Sequence, residues 1–375
     1  MGKICILTTA HSPFDDRIYY REAVTLKKLG YDLSIIAPYE KPMVTKEDIN
    51  ILNVPKFPNR FYRFSKTGFN IYQLAMKQNA DIYHFHDPDL LPWMFLLQKK
   101  GKKVIYDVHE YNSKSIITKY WIPKKLRNSI SNFVDIIEKK FSSKFSGIIT
   151  VNPHMAELFR LVNMNTVSVG NYPLNWFIEK CSTIKKFNLN NISYIGGLNK
   201  DRGYEVIIST MKFLERNGID LMCSITGQID YMGIDDNFPR LKLGINENNI
   251  RWNGVVNFLE IPGYLSQSGI FWLPWINTPN NELGTPIKIF EYMAAGRPIV
   301  ASSLSFVKKI IQEVGCGTLV IPNDTESNAK AILDLVMNPE IATEMGKRGR
   351  KSVEEKYNWS SQEIILKNFY ESILN

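Results

Sequence analysis

Only four cysteines occur in 375 residues, Cys5, Cys181, Cys223 and Cys316, and no two are close in the chain. That spacing offers neither a disulfide framework nor a zinc knuckle, and it fits reduced thiols in a reducing compartment. No window approaches the roughly 18 uninterrupted apolar residues of a spanning helix. The apolar run at residues 4–7 is too brief for a signal segment and reads as a first strand. Repeats of solenoid period, low-complexity tracts, the G-x-G-x-x-G loop and the Walker lysine loop are all missing. His-x-x-x-His and Cys-x-x-Cys spacings are missing as well, so no metal is expected. What remains is a cytoplasmic globular protein, free to lie on a membrane surface.

Apolar material is ample, at 44% hydrophobic and 12% aromatic residues, and the length suits two domains rather than one core. The net charge of +9 admits three partners: nucleic acid, anionic lipid or a phosphorylated small substrate. Its densest stretch, residues 114–144, sets Lys119, Lys124, Lys125, Arg127, Lys139, Lys140 and Lys144 among Tyr120, Trp121, Ile122 and Phe133. Such a mixture suits a membrane interface. It equally suits a solvated helical face whose aromatics turn inward.

Apolar β-rich runs recur beside helix-length segments. The spacing predicts strands at residues 3–9, 31–37, 81–85 and 103–107, with a helix over 17–29 stopped by Gly30. A second series falls at 192–195, 221–226, 250–253, 270–273, 298–301 and 318–321. The pattern lapses between 167 and 189, where Gly170, Asn171, Tyr172 and Pro173 precede a charged stretch. The chain therefore reads as two doubly wound, Rossmann-like parallel-sheet domains, with ligands expected beyond the carboxyl ends of the strands in a cleft where the domains face. Expected boundaries are 1–180, 181–358 and a final helix, 359–375.

The segment from Leu283 to Val300 is the most informative. Thr285 is a good N-cap, Pro286 a good first helical residue, and Gly296 followed by Pro298 a good stop. Such a helix start gathers unpaired N–H groups and partial positive charge, an anion site to which Lys288 adds a full charge. Glu291, a turn deeper, is placed to accept hydrogen bonds from vicinal hydroxyls, as a carboxylate does with a ribose. Alternatively Lys288 and Glu291 form no more than an i,i+3 pair.

The string TPIKIFEYMAAGRPIVAS resembles the donor-binding signature of retaining glycosyltransferase family 4, enzymes of the GT-B fold. AHSPFDDRIYYREAVTLKKLGY, ADIYHFHDPDLLP, YDVHE, ITVNPHM, VGNYP, YIGGLNKDRGYE, ITG and WNGVV follow the same family in order. The resemblance implies a nucleotide-sugar donor of UDP, GDP or dTDP type and a glycan or lipid-linked acceptor. It implies no separate cofactor, no metal and no nucleic-acid partner, with retention of anomeric configuration. Glu291 stands where the family glutamate holds the ribose, and Gly196, Gly197, Arg202, Gly227, Thr285, Pro286 and Lys288 form the donor side. Two departures stand out. Leu283 occupies the place of a second family glutamate, with Glu282 one position off, while Gly197 and Arg202 replace an Arg and Lys that bind the diphosphate. Lys288 is the expected compensation.

All five histidines lie in the first half. His86 matches the family histidine near the transferred sugar, and is assigned a catalytic role with Arg202 and Lys288. His84-Phe85-His86 is read as turning only one imidazole to a given side. His11, Asp15, Arg17 and His109 are assigned to the acceptor side, with Arg17 facing an acceptor phosphate. Asp15 and Asp16 are also natural helix caps, and one of Asp87 and Asp89 is expected to cap a second helix. The expected product is a bacterial surface polysaccharide. A nucleotide-sugar epimerase of the same architecture, a binding subunit without catalysis and a nucleic-acid binder remain as alternatives.

Overall fold

The computed structural model describes residues 2–40, 44–56, 62–117, 119, 122–181, 187–244, 246–247 and 249–374. Tyr120 and Trp121 of the basic stretch, and residues 182–186 of the charged stretch, lie outside them. The chain divides into unit 1, Met1–Asn171 with Ser360–Asn375, and unit 2, Tyr172–Trp359. The change therefore comes at Tyr172 rather than after residue 180.

Unit 1 holds an eight-stranded sheet. In chain order its elements are β1 (Lys3–Leu7), α1 (Asp16–Ala23 continued by Val24–Lys28), β2 (Asp32–Pro38), β3 (Val44–Lys46), β4 (Ile49–Val54) and α2 (Gly68–Gln78). They continue as β5 (Ile82–Phe85), α3 (Leu91–Lys99), β6 (Lys103–Val108), α4 (Asn112–Ile117), α5 (Lys124–Ser142), β7 (Gly147–Thr150), α6 (Pro153–Arg160) and β8 (Thr166–Ser168). The strand order is β3-β4-β2-β1-β5-β6-β7-β8, parallel except for β3 against β4. Strands β3, β4, β7 and β8 were not expected from the sequence. The order reverses between β1 and β5, and such a switch point opens a crevice at the carboxyl ends of those two strands. Central strands of a parallel sheet are covered on both faces and read as apolar runs. Here β5 and β6 break the rule with His84 and Asp107, both fully buried.

Unit 2 contains α7 (Asn175–Lys180), β9 (Asn191–Ile195), α8 (Tyr204–Arg216), β10 (Met222–Thr226), β11 (Asn246–Glu247), β12 (Ile250–Trp252), α9 (Ile261–Ser266) and β13 (Ile270–Leu273). After these come α10 (Pro279–Leu283), α11 (Lys288–Ala294), β14 (Ile299–Ser302), α12 (Ser305–Val314), β15 (Gly317–Val320), α13 (Thr325–Met337) and α14 (Pro339–Glu355). Its sheet runs β11-β12-β10-β9-β13-β14-β15, parallel except at β11, with the switch point between β9 and β13. Tyr292 of α11 stacks on Phe271 of β13 with ring centroids 4.2 Å apart, so the helix bears directly on the middle of the sheet.

The last helix, α15 (Trp359–Leu374), belongs to unit 1 from Ser360 onward. Leu366, Phe369 and Tyr370 are buried, each such apolar side chain contributing about 1.5–3 kcal/mol. Phe369 fills the space a side chain at Gly147 would need, for a Cβ there would stand 2.5 Å from its ring. Polar ties accompany the packing: Thr25 Oγ1 donates to Glu363 (3.0 Å), Gly170 N to Gln362 (2.8 Å) and Lys103 Nζ to the Leu374 carbonyl (2.6 Å).

Candidate functional site

In unit 2 the expected donor residues converge at the carboxyl end of β9. Gly196 takes φ +129°, and a Cβ on it would stand 1.9 Å from Lys288 Cε and 2.6 Å from Nζ, so the lysine stem lies across a bare Cα. A Cβ on Gly227, at φ +136°, would meet the Gly196 carbonyl oxygen at 2.2 Å. Only glycine fits either place. Arg202 donates from its Nη1 to the Gly197 carbonyl (3.0 Å), which also accepts from the Tyr194 hydroxyl (2.8 Å). The turn carrying Arg202 is tied to the end of β13 through Ile276 N to Asp201 O (3.0 Å) and Asn281 Nδ2 to the same oxygen (2.8 Å). Trp275, which follows β13, lies under both cations, 5.7 Å from the Arg202 guanidinium and 5.9 Å from Lys288 Nζ. Sequence reasoning assigned this residue no role. Its signal was an aromatic placed just beyond a strand at the switch point.

One expectation needs correction. Thr285 does not cap the helix: α11 opens at Lys288 behind a turn from Pro286, and the buried Thr285 hydroxyl makes no hydrogen bond. The amide of Gly196, a residue the resemblance puts on the donor side, donates to the Thr226 carbonyl at 2.7 Å. Every residue of α11 from Ile289 to Ala294 is buried, Glu291 included at 8% exposure. Glu291 lies one turn past Lys288 and near Cys181, whose thiol is pushed up to about 12 by burial, with the Glu291 charge adding to it against Arg350. Glu282, the neighbour of the missing glutamate position, bonds to Ser305.

In unit 1 the loops after β1, β5 and β6 bring His11, Asp87 and His109 together. His11 Nδ1 lies 3.2 Å from Asp15 and its Nε2 3.6 Å from Asp87. Burial works against its charge, but Asp15 and Asp87 hold the His11 imidazole up to about 9. His109 lies beside His11, the rings tilted by 54° with centroids 5.6 Å apart, and its Nε2 lies 3.0 Å from His86 Nδ1. His86 itself is buried, and burial with the neighbouring His84 pushes it down to about 3. The outward imidazoles are therefore His11 and His109, with His86 behind them. A strand's period of two places i and i+2 on one side. The rings of His84 and His86 accordingly lie 4.6 Å apart on the same face, contrary to the expectation that only one would face a given side.

Arg17 does not face a ligand. It is 2% exposed, and its guanidinium makes four hydrogen bonds: two to Asp107 (2.7 and 3.1 Å), one to the Val169 carbonyl (3.0 Å) and one to Asn171. Its position is a strut between α1 and the far end of the unit. Asp15, rather than Asp16, caps α1, accepting from Arg17 N (2.9 Å) and Ile18 N (3.2 Å). Asp87 stands at the N-cap position of the short turn Pro88–Leu90, as expected of one of the pair, but its side chain makes no capping hydrogen bond. Asp87 accepts from the Thr8 hydroxyl (2.6 Å) and Thr9 amide (2.7 Å), and Asp89 pairs with Arg63 and Thr9.

Beside His11, Asp87 and Glu110 opens a cavity of about 760 Å³ whose far wall is apolar, with Leu91, Phe133, Ile137 and Phe141. Helix α5 edges it. Phe133 and Ile136 of that helix stand outward at 64% and 63% exposure, so Phe133, the named aromatic of the basic stretch among the described residues, does not turn inward. No helix among the described residues is long and apolar enough to cross a membrane.

Comparison with known proteins places these features in context. Residues 190–338 match the model of the glycosyl transferases group 1, and residues 16–167 that of glycosyltransferase family 4. An uncharacterized glycosyltransferase of Haemophilus influenzae is 22% identical over 352 residues, 91% of each chain. The amylovoran biosynthesis glycosyltransferase AmsK of Erwinia amylovora is 25% identical over 190 residues, 46% of this chain and 45% of its own. Among solved structures, sucrose-phosphate synthase of Thermosynechococcus elongatus superposes with a TM-score of 0.76 at 14% identity, covering 100% of this chain and 99% of its own. HepE of Anabaena, solved in complex with UDP, gives 0.71 at 12% identity over 99% of this chain and 100% of its own.

Proposed function

The chain belongs to the group 1, family 4 glycosyltransferases of GT-B fold, and from that premise we propose that it transfers a hexosyl group, with retention, from a nucleotide-sugar donor to a growing bacterial surface polysaccharide, capsule or lipopolysaccharide. The carrying observation is the meeting of Lys288 and Arg202 over Trp275 at the Gly196–Gly197 turn, with Glu291 one turn deeper. Two fixed cations suit a diphosphate, and a nearby carboxylate suits the pentose attached to it.

In the transfer the bond from the anomeric carbon to the phosphate oxygen breaks, and a bond from that carbon to the acceptor hydroxyl oxygen forms. The proton of that hydroxyl passes to the departing diphosphate. Negative charge grows on the phosphate as the bond lengthens, and Lys288 and Arg202, already in place, stabilise it without reorganising. No divalent ion at the diphosphate is required. His109, backed by His86, and His11 with Asp15 line the acceptor side.

A lipid-linked acceptor fits the unit 1 cavity, whose charged mouth and apolar wall match a glycosylated head on a hydrocarbon chain. The exposed Phe133 and Ile136 among lysines support a peripheral place on the inner face of an anionic membrane. AmsK, named for amylovoran biosynthesis, supports the product class. HepE, solved with UDP-glucose, makes that donor the first to try.

A thermal-shift screen of UDP, GDP and dTDP with their sugars, followed by turnover with and without a lipid-linked acceptor in chelator, tests this reading. One nucleotide family should raise the melting temperature, and donor should be consumed only with acceptor present. Binding without turnover would favour a subunit that has lost catalysis, in keeping with Leu283 and Gly197. Conversion of the donor with no acceptor would mark an epimerase.

A further inference from the structure

Beneath the acceptor side of unit 1 lies a buried cluster that reaches the proposed transfer site only through His86, behind His109. Glu22 of α1, His84 and His86 of β5 and Asp107 of β6 each offer one ligand atom, and these atoms lie within 4.8 Å of one another. All four side chains are buried. We propose that they form a structural site for one divalent transition-metal ion of the zinc type, held by the Nε2 atoms of His84 and His86 and by one oxygen from each carboxylate.

The imidazoles are already set for it. His84 Nδ1 lies 2.7 Å from the Tyr370 hydroxyl and His86 Nδ1 lies 3.0 Å from His109 Nε2, while both Nε2 atoms are buried without a hydrogen bond. A metal-bound histidine characteristically donates its second ring N–H to a fixed acceptor, which leaves the other nitrogen's lone pair for the ion. In both rings Nδ1 is the bonded nitrogen and Nε2 the open one, the arrangement that such a division requires.

Spacing agrees. His86 Nε2 stands 3.5 Å from Glu22 Oε2, and His84 Nε2 stands 3.7 Å from Asp107 Oδ2. Neighbouring ligand atoms around a tetrahedral ion with bonds near 2.0–2.1 Å are about 3.3–3.4 Å apart, so these two pairs stand nearly at that spacing, while the widest-set of the four atoms, all within 4.8 Å of one another, draw in by up to about 1.4 Å to close the shell. Glu22 supplies a further reason. Neither of its buried oxygens accepts a hydrogen bond, although Oε1 lies 2.9 Å from Arg17 Nε, whose N–H is directed at Asp107. One guanidinium thus faces two buried carboxylates, and the second negative charge lacks an equal partner. A buried unpaired charge is costly, and a cation removes that cost.

The donor set indicates the ion. Two imidazoles with two carboxylates suit zinc and its first-row neighbours, whereas calcium and magnesium prefer oxygen alone. Full burial and four protein ligands describe a closed site with no open position for substrate. Its work is mechanical: it joins α1, β5 and β6, and by making His86 Nδ1 a donor it makes His109 Nε2 an acceptor. The outward imidazole is thereby held in one tautomer.

The test uses the full chain without a histidine tag. After incubation with ZnCl₂ and gel filtration, elemental analysis should find about one zinc per chain. Glu22→Gln and His84→Asn, checked for folding by circular dichroism, should lose it. Should either variant fail to fold, the unaltered chain loaded with CoCl₂ decides, since four-coordinate cobalt has intense visible bands and six-coordinate cobalt weak ones. Intense bands support the site. Weak bands, a chain without zinc, or zinc retained in a folded Glu22→Gln variant overturn it; a metal-free chain would instead hold Glu22 as a neutral acid beside Asp107.

Discussion

Replacing Lys288 by methionine keeps most of the stem that lies across Gly196 and removes the charge. A hydrogen bond to a charged group contributes about 1.5–3 kcal/mol net, which at roughly 1.4 kcal/mol per tenfold corresponds to a 10- to 150-fold weaker diphosphate complex. Lys288 is half-buried over Trp275, so solvent screening places the expected loss in the lower part of that range. Arg202 already spends one donor on the Gly197 carbonyl, and Arg202→Ala should cost no more than Lys288→Met. Isothermal titration with UDP at fixed ionic strength measures both. The transfer rate adds a second readout: kcat/KM should fall further than affinity, because the phosphate gains charge only as the sugar departs. Gly196→Ala should reproduce the defect by a different route, since its Cβ would occupy the place of Lys288 Cε and φ of +129° costs a side chain about 1–3 kcal/mol. UDP affinity unchanged within about twofold in Lys288→Met, alongside its abolition in Arg202→Ala, would refute the assignment of Lys288.

Arg17→Met should destabilise unit 1 by about 3–5 kcal/mol, because Asp107 is left charged and buried; a urea midpoint equal to that of the parent chain would remove Arg17 as a strut. By NMR, His11 should titrate near 9. Its folded value stands above the ordinary 6.5, so the stability it lends is complete below 6.5 and is lost as pH rises toward 9. Asp15→Asn should bring the midpoint down, and a parent midpoint at 6.5 would discard the pairing. Phe133→Ser with Ile136→Ser should weaken flotation with vesicles containing anionic lipid while leaving UDP affinity unaltered, and equal flotation would leave α5 as an ordinary solvent-facing helix.

Much of the architecture was legible because parallel strands buried on both faces appear as short apolar runs beside helical ones. Those of β1, β2, β5 and β6 and of β9 to β15, apart from two-residue β11, stand out in this way. β4 mixes asparagine into its apolar residues, β7 has only the apolar pair Ile148 and Ile149, and β8 only Val167. Such segments give periodicity little to work on. The donor segment was legible through its punctuation, yet Thr285 was misjudged, since a turn from Pro286 delays the helix and moves the cap residue away from its amides. Arg17 was misjudged for another reason. Its partners Asp107, Val169 and Asn171 come from distant parts of the chain, and no local pattern announces a fourfold embrace. The same distance conceals the association of Glu22 with His84, His86 and Asp107, which only the sheet order brings together.

The return of α15 to unit 1 governs the order in which the molecule can be completed. Everything needed for unit 2, Tyr172–Trp359, has left the ribosome before Phe369 and Tyr370 emerge to cover Gly147 and bond His84. The half made first is therefore finished last. Until then its sheet waits with an apolar seam exposed, and a nascent or prematurely terminated chain would be most vulnerable to aggregation along that seam.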